Sequence, residues 1–189
     1  MIDFNEEHHI YRLDGEIIPS VSTVLKFIFP DKYTGVPKFV MQEAAEFGTK
    51  VHKAVEMTEL YQMKPDDALK WVTGVYERLC LEKYFKIKDE NKFEVLEQEQ
   101  KVFTKDYAGR FDMIIKMNGK KYLCDIKTTA KLDIEYLSWQ LSLYEYAYGK
   151  VDGLVAIWLP KGKLGKLEHI KRKTKKEIEN ILKEYKESL

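Results

Sequence analysis

The stretch Gly109-Arg110-Phe111-Asp112-Met113-Ile114-Ile115-Lys116-Met117-Asn118-Gly119-Lys120-Lys121-Tyr122-Leu123-Cys124-Asp125-Ile126-Lys127-Thr128 decides how this chain is read. Asn118-Gly119 sits between two β-prone runs, and both residues tolerate the positive φ that a two-residue hairpin turn demands. With that loop, Met117 pairs with Lys120. Counting back along both strands, Met113 pairs with Cys124, Ile115 with Tyr122 and Phe111 with Ile126. On the other side Asp112 faces Asp125 and Arg110 faces Lys127. Period-two alternation then predicts one apolar face and one charged face. A three-residue loop would shift the register by one and send the two aspartates to different faces.

Two carboxylates directly opposed on one face sit roughly 4.5–5.5 Å apart at Cβ and repel. A divalent cation between them relieves the repulsion, because Mg²⁺ is commonly held by one or two carboxylate oxygens. Lys127, two residues after Asp125, points to the same face. The competing reading is a solvated charged face, in which Arg110 and Lys127 neutralise the aspartates.

The 189 residues are 44% hydrophobic and 33% charged, which describes a globular chain long enough to bury a core as one domain over 1–189. A net charge of +1 means that any nucleic-acid binding rests on a local basic patch. Two cysteines, Cys80 and Cys124, suit neither a thiolate metal cluster nor a disulfide framework. No apolar run reaches the length of a membrane span. An acidic N-terminus without a targeting pattern adds to the expectation of a reducing, cytoplasmic setting.

Along the chain, residues 2–18 read as a hairpin turning at Asp14-Gly15, and His8 and His9 as surface or hairpin residues. Ser20 to Phe27 is a short helix ended before Pro30. A helix over Lys38–Tyr61 carries Val40, Ala44, Phe47, Val51, Ala54 and Val55 at helical spacing. Pro65 opens a helix to Phe85 with Trp71, Val75, Leu79 and Tyr84 as its buried stripe. A strand follows near 93–103. Asp133–Tyr148 is a helix stopped by Gly149, and Leu154–Leu159 a fully buried strand. Thr174 and Glu177 form a capping box for a terminal helix. The order predicts an α/β fold with a mixed central sheet flanked by helices: a lead-in over 1–47, a core over 48–159 and a basic connection with a terminal helix over 160–189.

Taken together, these residues resemble the PD-(D/E)XK nuclease superfamily, specifically its RecB-like exonuclease branch with phage-type and mitochondrial genome-maintenance relatives. The likeness runs over residues 48–159. It is carried by Gly48-Thr-Lys-Val-His52, Glu99-Gln-Lys-Val102, Gly109-Arg-Phe-Asp112, Asp125-Ile-Lys127-Thr-Thr129 and Gln140-x-x-x-Tyr144. It implies a restriction-endonuclease-like core. His52, Asp112, Asp125 and the Ile126 carbonyl would ligate a catalytic Mg²⁺ or Mn²⁺, and Lys127 would orient the attacking water. Gln140 and Tyr144 would flank the site, and Glu99 matches an acidic strand position of less uniform role. Iron–sulfur members carry four spaced cysteines; this chain does not, so no cluster is expected.

The implied activity is a metal-dependent DNA exonuclease acting at single-stranded or frayed ends in recombination, repair or replication, with a possible recombination or replication protein as partner. The alternatives are a structure-specific endonuclease and an inactive DNA-binding accessory. Glu56, one turn beyond His52, is a candidate to orient the imidazole or a plain surface carboxylate. Between 161 and 176 eight basic residues face the single acid Glu168. Lys171, Arg172 and Lys173 are the candidate phosphate contacts there, against the alternative of a solvated loop. Tyr33, Phe39 and Tyr107 could stack on unpaired bases, though nothing in the sequence prefers this to core packing.

Overall fold

A computed structural model describes residues 2–5, 10–13 and 15–189; Asp14, His8 and His9 lie outside the described residues. Strands β1 (Ile2–Asn5), β2 (Ile10–Leu13) and β3 (Glu16–Ile18) form a small antiparallel sheet. Helix α1 (Val21–Ile28) follows, with the Ser20 hydroxyl accepting the Thr23 N–H as its N-cap. Next come α2 (Lys38–Leu60), α3 (Pro65–Trp71) and α4 (Val75–Asn91). Strands β4 (Glu94–Phe103), β5 (Ala108–Met117) and β6 (Lys120–Lys127) make a meander. Helix α5 (Ile134–Tyr148) carries the chain across to β7 (Gly153–Trp158), which lies parallel to β6. Strand β8 (Lys166–Ile170) closes the five-stranded sheet, ordered β4-β5-β6-β7-β8, and α6 (Lys175–Glu187) ends the chain.

The main sheet is therefore mixed, with one parallel pair created by the α5 crossover. Helices cover both of its faces. Phe47, Val51 and Val55 of α2 and Cys80, Leu81 and Tyr84 of α4 pack with Met113, Ile115, Cys124 and Ile126. On the other side Val24 and Leu25 of α1, Leu137 and Leu141 of α5 and Ile178 and Leu182 of α6 pack with Phe111, Ile114 and Leu123. This mixed α/β architecture matches the fold expected from the sequence.

The hairpin register is the predicted one near the turn, where Met117 pairs with Lys120, Ile115 with Tyr122 and Met113 with Cys124. The expected continuation to Phe111/Ile126, Asp112/Asp125 and Arg110/Lys127 is not formed. The Asp112 side chain takes the Ile126 N–H, and Phe111 and Ile126 lie in opposite cores. The expectation of a single apolar face is corrected. Ile114 and Leu123 are fully buried on the side assigned to charge, because α1, α5 and α6 cover it. Each such burial contributes about 1.5–3 kcal/mol, so the second layer of helices adds much to the fold.

Three other expectations change. The helix from Pro65 is two helices, since the chain leaves helical geometry at Val72 (ψ 115°) and restarts at Gly74. The Arg78 guanidinium clamps that break by donating to the Val72 carbonyl. The break also rotates the buried face: Cys80, Leu81, Tyr84 and Ile87 are inside, while Trp71, Val75 and Leu79 are exposed. In α2, Val40 is exposed because the helix reaches the core only from Phe47 onward. The lysine-rich connection contains β8, whose composition hid it: an edge strand bonded to β7 alone can carry Lys166, Glu168 and His169. The terminal capping box forms as predicted, with Thr174 and Glu177 satisfying each other's backbone N–H groups.

Candidate active site

The ladder between β5 and β6 stops at Met113 and Cys124. Beyond it the backbone of β6 bonds a side chain instead: the Ile126 N–H donates to Asp112 Oδ2 at 2.6 Å. Phe111 belongs to the opposite core from Met113, so alternation is interrupted at Asp112. Across from it on β4, Glu99 adopts φ +50° and leaves a gap in the ladder between Gln98/Met113 and Gln100/Phe111. A left-handed glutamate inside a strand is a strained residue, and such residues concentrate at functional sites. Its carboxylate is held by Arg110, with Nε 2.9 Å from Oε2.

Helix α2 runs past this opening. Gly48 brings the helix close to the end of β6, where an added Cβ would lie 3.4 Å from Oγ1 of Thr128, the residue just past the strand. One turn later His52 reaches the site: its Nε2 is 2.9 Å from the Ile126 carbonyl oxygen and its Nδ1 3.4 Å from Asp112 Oδ1. The residues Gly48, Thr49, His52, Glu99, Arg110 and Asp112 line a cleft of about 750 Å³. Glu56 also lines it, but both of its oxygens are 3.0 Å from Lys53 Nζ. The imidazole is oriented by Asp112 and a carbonyl, and Glu56 bonds elsewhere.

On the other side of the opening lie Asp125 and Lys127, with Nζ 2.6 Å from Oδ2. Asp125 is 3% exposed, and the Lys127 ammonium is the partner of its Oδ2. Helix α5 supplies Tyr144, hydrogen-bonded by Gln140, whose own Oε1 is buried without a partner. Both ends of Lys127 are fixed through its backbone, which pairs with Trp158 of β7 and accepts the Leu159 N–H at 2.7 Å.

Electrostatics follow from this crowding. Burial pushes Asp125 up to about 6, with Lys127 opposing and Asp112 adding repulsion. Burial also works to raise Asp112, but His52 and Lys127 outweigh it and hold Asp112 below the usual carboxylate range. Burial would lower His52, yet the Asp112 carboxylate wins and lifts it to about 9. Glu99 is raised by burial and by Asp112, against Arg110. The two aspartates are thus compensated internally by an imidazolium and an ammonium. Among the described residues, no three His, Cys, Asp or Glu side chains already surround one point as a metal shell.

The sequence profile of the PD-(D/E)XK nuclease superfamily matches residues 31–188. The chain belongs to that superfamily. No curated protein matches it significantly. A solved chain titled "Crystal structure of SSO0001" is similar at 16% identity and a TM-score of 0.38, over 86% of this chain and 81% of that one. Membership in the superfamily makes the protein a nuclease by family, and the mixed sheet carrying Asp112, Asp125 and Lys127 is consistent with a restriction-endonuclease-like core. Among the described residues no helix is long and apolar enough to cross a membrane.

Some sequence candidates lie outside the cluster or serve other contacts. Arg172 pairs with Glu145 and donates to the Val151 carbonyl, while Lys173 pairs with Glu135 beside the Trp139 ring. Both fasten β8 and its exit to α5, and Lys171 is exposed beside them. Tyr107 is fully buried and donates to the Leu143 carbonyl, so it presents no stacking face. Arg110, treated in the sequence only as a neutralising charge, proves to be the partner of Glu99. Its signal was its place in Gly109-Arg110-Phe111-Asp112.

Gly109 is a steric requirement of the site. A Cβ there would lie 2.6 Å from Tyr144 Cε1 and 2.9 Å from Val21 Cγ2. Gly109→Ala should destabilise the protein by about 1–3 kcal/mol through overpacking, measured by urea denaturation. It should also displace Tyr144 from the Asp125 side of the cleft. Unchanged stability would mean that β5 and α5 are not in close contact there.

Proposed function

We propose that this nuclease is a divalent-metal-dependent deoxyribonuclease, an exonuclease acting at single-stranded or frayed DNA ends in recombination, repair or replication. The observation that carries the reading is the meeting of His52, Asp112, the Ile126 carbonyl, Asp125 and Lys127 at one interruption of the sheet. Two carboxylates, a carbonyl and an imidazole are a donor set suited to Mg²⁺ or Mn²⁺, and the imidazole favours Mn²⁺. The fit is supported by the enclosure of both carboxylates beside the Ile126 carbonyl and the imidazole, with Asp125 3% exposed. Such an ion, held by His52, Asp112, Asp125 and Ile126, would acidify a bound water and offset charge on the phosphate.

The chain's own groups have separate tasks. Asp112 and Asp125 hold negative charge in a buried place, compensated by the His52 imidazolium and Lys127. His52 would give up its proton to a bound ion's charge, since imidazole ligates only when neutral. Lys127, whose ammonium Asp125 holds in place, would supply a preorganised positive donor to charge developing on the phosphate. Gln140 and Tyr144 wall the Asp125 side and restrict water. Glu99 and Arg110 line the cleft beyond Asp112 as a hydrogen-bonding rim for the substrate backbone.

The test is cleavage of end-labelled linear DNA with Mn²⁺ or Mg²⁺, beside closed circular DNA. Linear DNA should be degraded, circles spared, and Mn²⁺ should support at least the rate seen with Mg²⁺. Cutting of circles would replace the exonuclease reading with an endonuclease. Activity with Mg²⁺ alone, with inhibition by Mn²⁺, would remove the proposed role of His52.

A further inference from the structure

The connection between α1 and α2 is ordered by its own backbone. Lys32 N–H donates to the Phe29 carbonyl, Thr34 to Asp31 and Val36 to Tyr33, in three successive turns. Lys32 fastens the segment to the Asp133 carboxylate, which is also the N-cap of α5. The loop 128–132 that follows Lys127 ends at that same Asp133, so this ion pair ties the connection to the exit of the catalytic strand. The Lys32 ammonium lies 4.1 Å from the Tyr136 ring centroid and 5.7 Å from that of Tyr33. Tyr136 in turn packs on Phe29, ring to ring at 5.4 Å.

Tyr136 is thus enclosed, while Tyr33 is 55% exposed. Tyr33 also lies within electrostatic reach of Lys127 and of Tyr136. A half-exposed ring on a hydrogen-bonded turn, with the Lys32 ammonium beside it and the segment tied through Asp133 to the loop that leaves Lys127, has the chemistry of a nucleotide site. A base can lie on the ring, with the Lys32–Asp133 ion pair holding the turn that presents it.

We infer that Tyr33 is a stacking platform for an unpaired nucleobase adjoining the scissile phosphate, and that it gives this nuclease a preference for single-stranded DNA. The inference rests on the nuclease reading above and adds the residue that sets its preference for unpaired DNA. A base paired inside a duplex has both faces covered and cannot use the ring. An unpaired base of any identity can, so the preference is for strandedness and not for sequence.

Equilibrium binding of a single-stranded oligonucleotide carrying 2-aminopurine, in EDTA so that nothing is cut, tests it. Tyr33→Ala and Tyr33→Leu should lower single-strand affinity about tenfold relative to a blunt duplex of the same sequence, and should abolish the quenching of 2-aminopurine. Tyr33→Phe should keep both the affinity and the quenching. Equal losses on single strand and duplex, a Phe variant as weak as Ala, or an Ala variant indistinguishable from wild type would each overturn the inference. A wild type that cuts DNA while Tyr33→Ala is silent removes the stacking role alone. A wild type that neither binds nor cuts any DNA removes the nuclease reading and the stacking role with it.

Discussion

Asp125→Asn should lower phosphodiester hydrolysis by about 10³-fold or more while the protein keeps its fold. The size follows from the several kcal/mol that a correctly held ion contributes to the transition state, at about 1.4 kcal/mol per decade of rate. The amide keeps the shape of the side chain but removes the charge that a cation and Lys127 both need. Folding survives because the same change relieves a carboxylate that burial already disfavours and that Asp112 repels. It costs Lys127 its nearest counter-ion, though Asp112 remains within its field. Initial rates on end-labelled DNA, with circular dichroism and a melting curve on the same sample, separate the two effects. A fully active, folded variant would discard the site.

Lys127→Met should also slow turnover, with rates falling about 10²–10³-fold, the usual cost of removing a preorganised donor to developing charge. Its effect on metal binding should be the reverse of that of Asp125→Asn. Methionine leaves Asp112 and Asp125 without the ammonium that compensates them. The metal-free variant should therefore melt below wild type, and Mn²⁺ should raise its melting temperature by more than it raises that of wild type. Calorimetric titration with Mn²⁺ alone checks the same point without turnover. Loss of Mn²⁺ binding together with activity would mean that Lys127 organises the site and does not act on the substrate.

The parts of this arrangement visible in the sequence are those governed by local rules. Asn118-Gly119 specified a two-residue turn, and the observed pairing of Met113 with Cys124 agrees residue for residue. The cap at Thr174 was legible for the same reason, as a side chain bonding a backbone three residues away, and the structure adds caps of the same kind at Ser20 and Asp133. Sequence pattern misled where burial is decided by distant chain. Ile114 and Leu123 were placed on a charged face because nothing local announces that α1, α5 and α6 lie over it. Trp71 and Val75 looked like a core stripe because helical spacing does not reveal the break at Val72.

What the sequence determined by itself was the hairpin and its register from Met113/Cys124 to the turn, since turn geometry and period-two pairing act over a few residues. It also carried enough of the motif order for the superfamily to be recognised. The tertiary structure decided the rest: that the ladder opens at Asp112, that a strained Glu99 faces the gap, and that His52 reaches a carbonyl 74 residues away. Those contacts exist because α2 packs on one face of a sheet whose other face is also covered. Burial on both sides lowers the local dielectric and makes each charge seek a partner brought by a distant part of the chain.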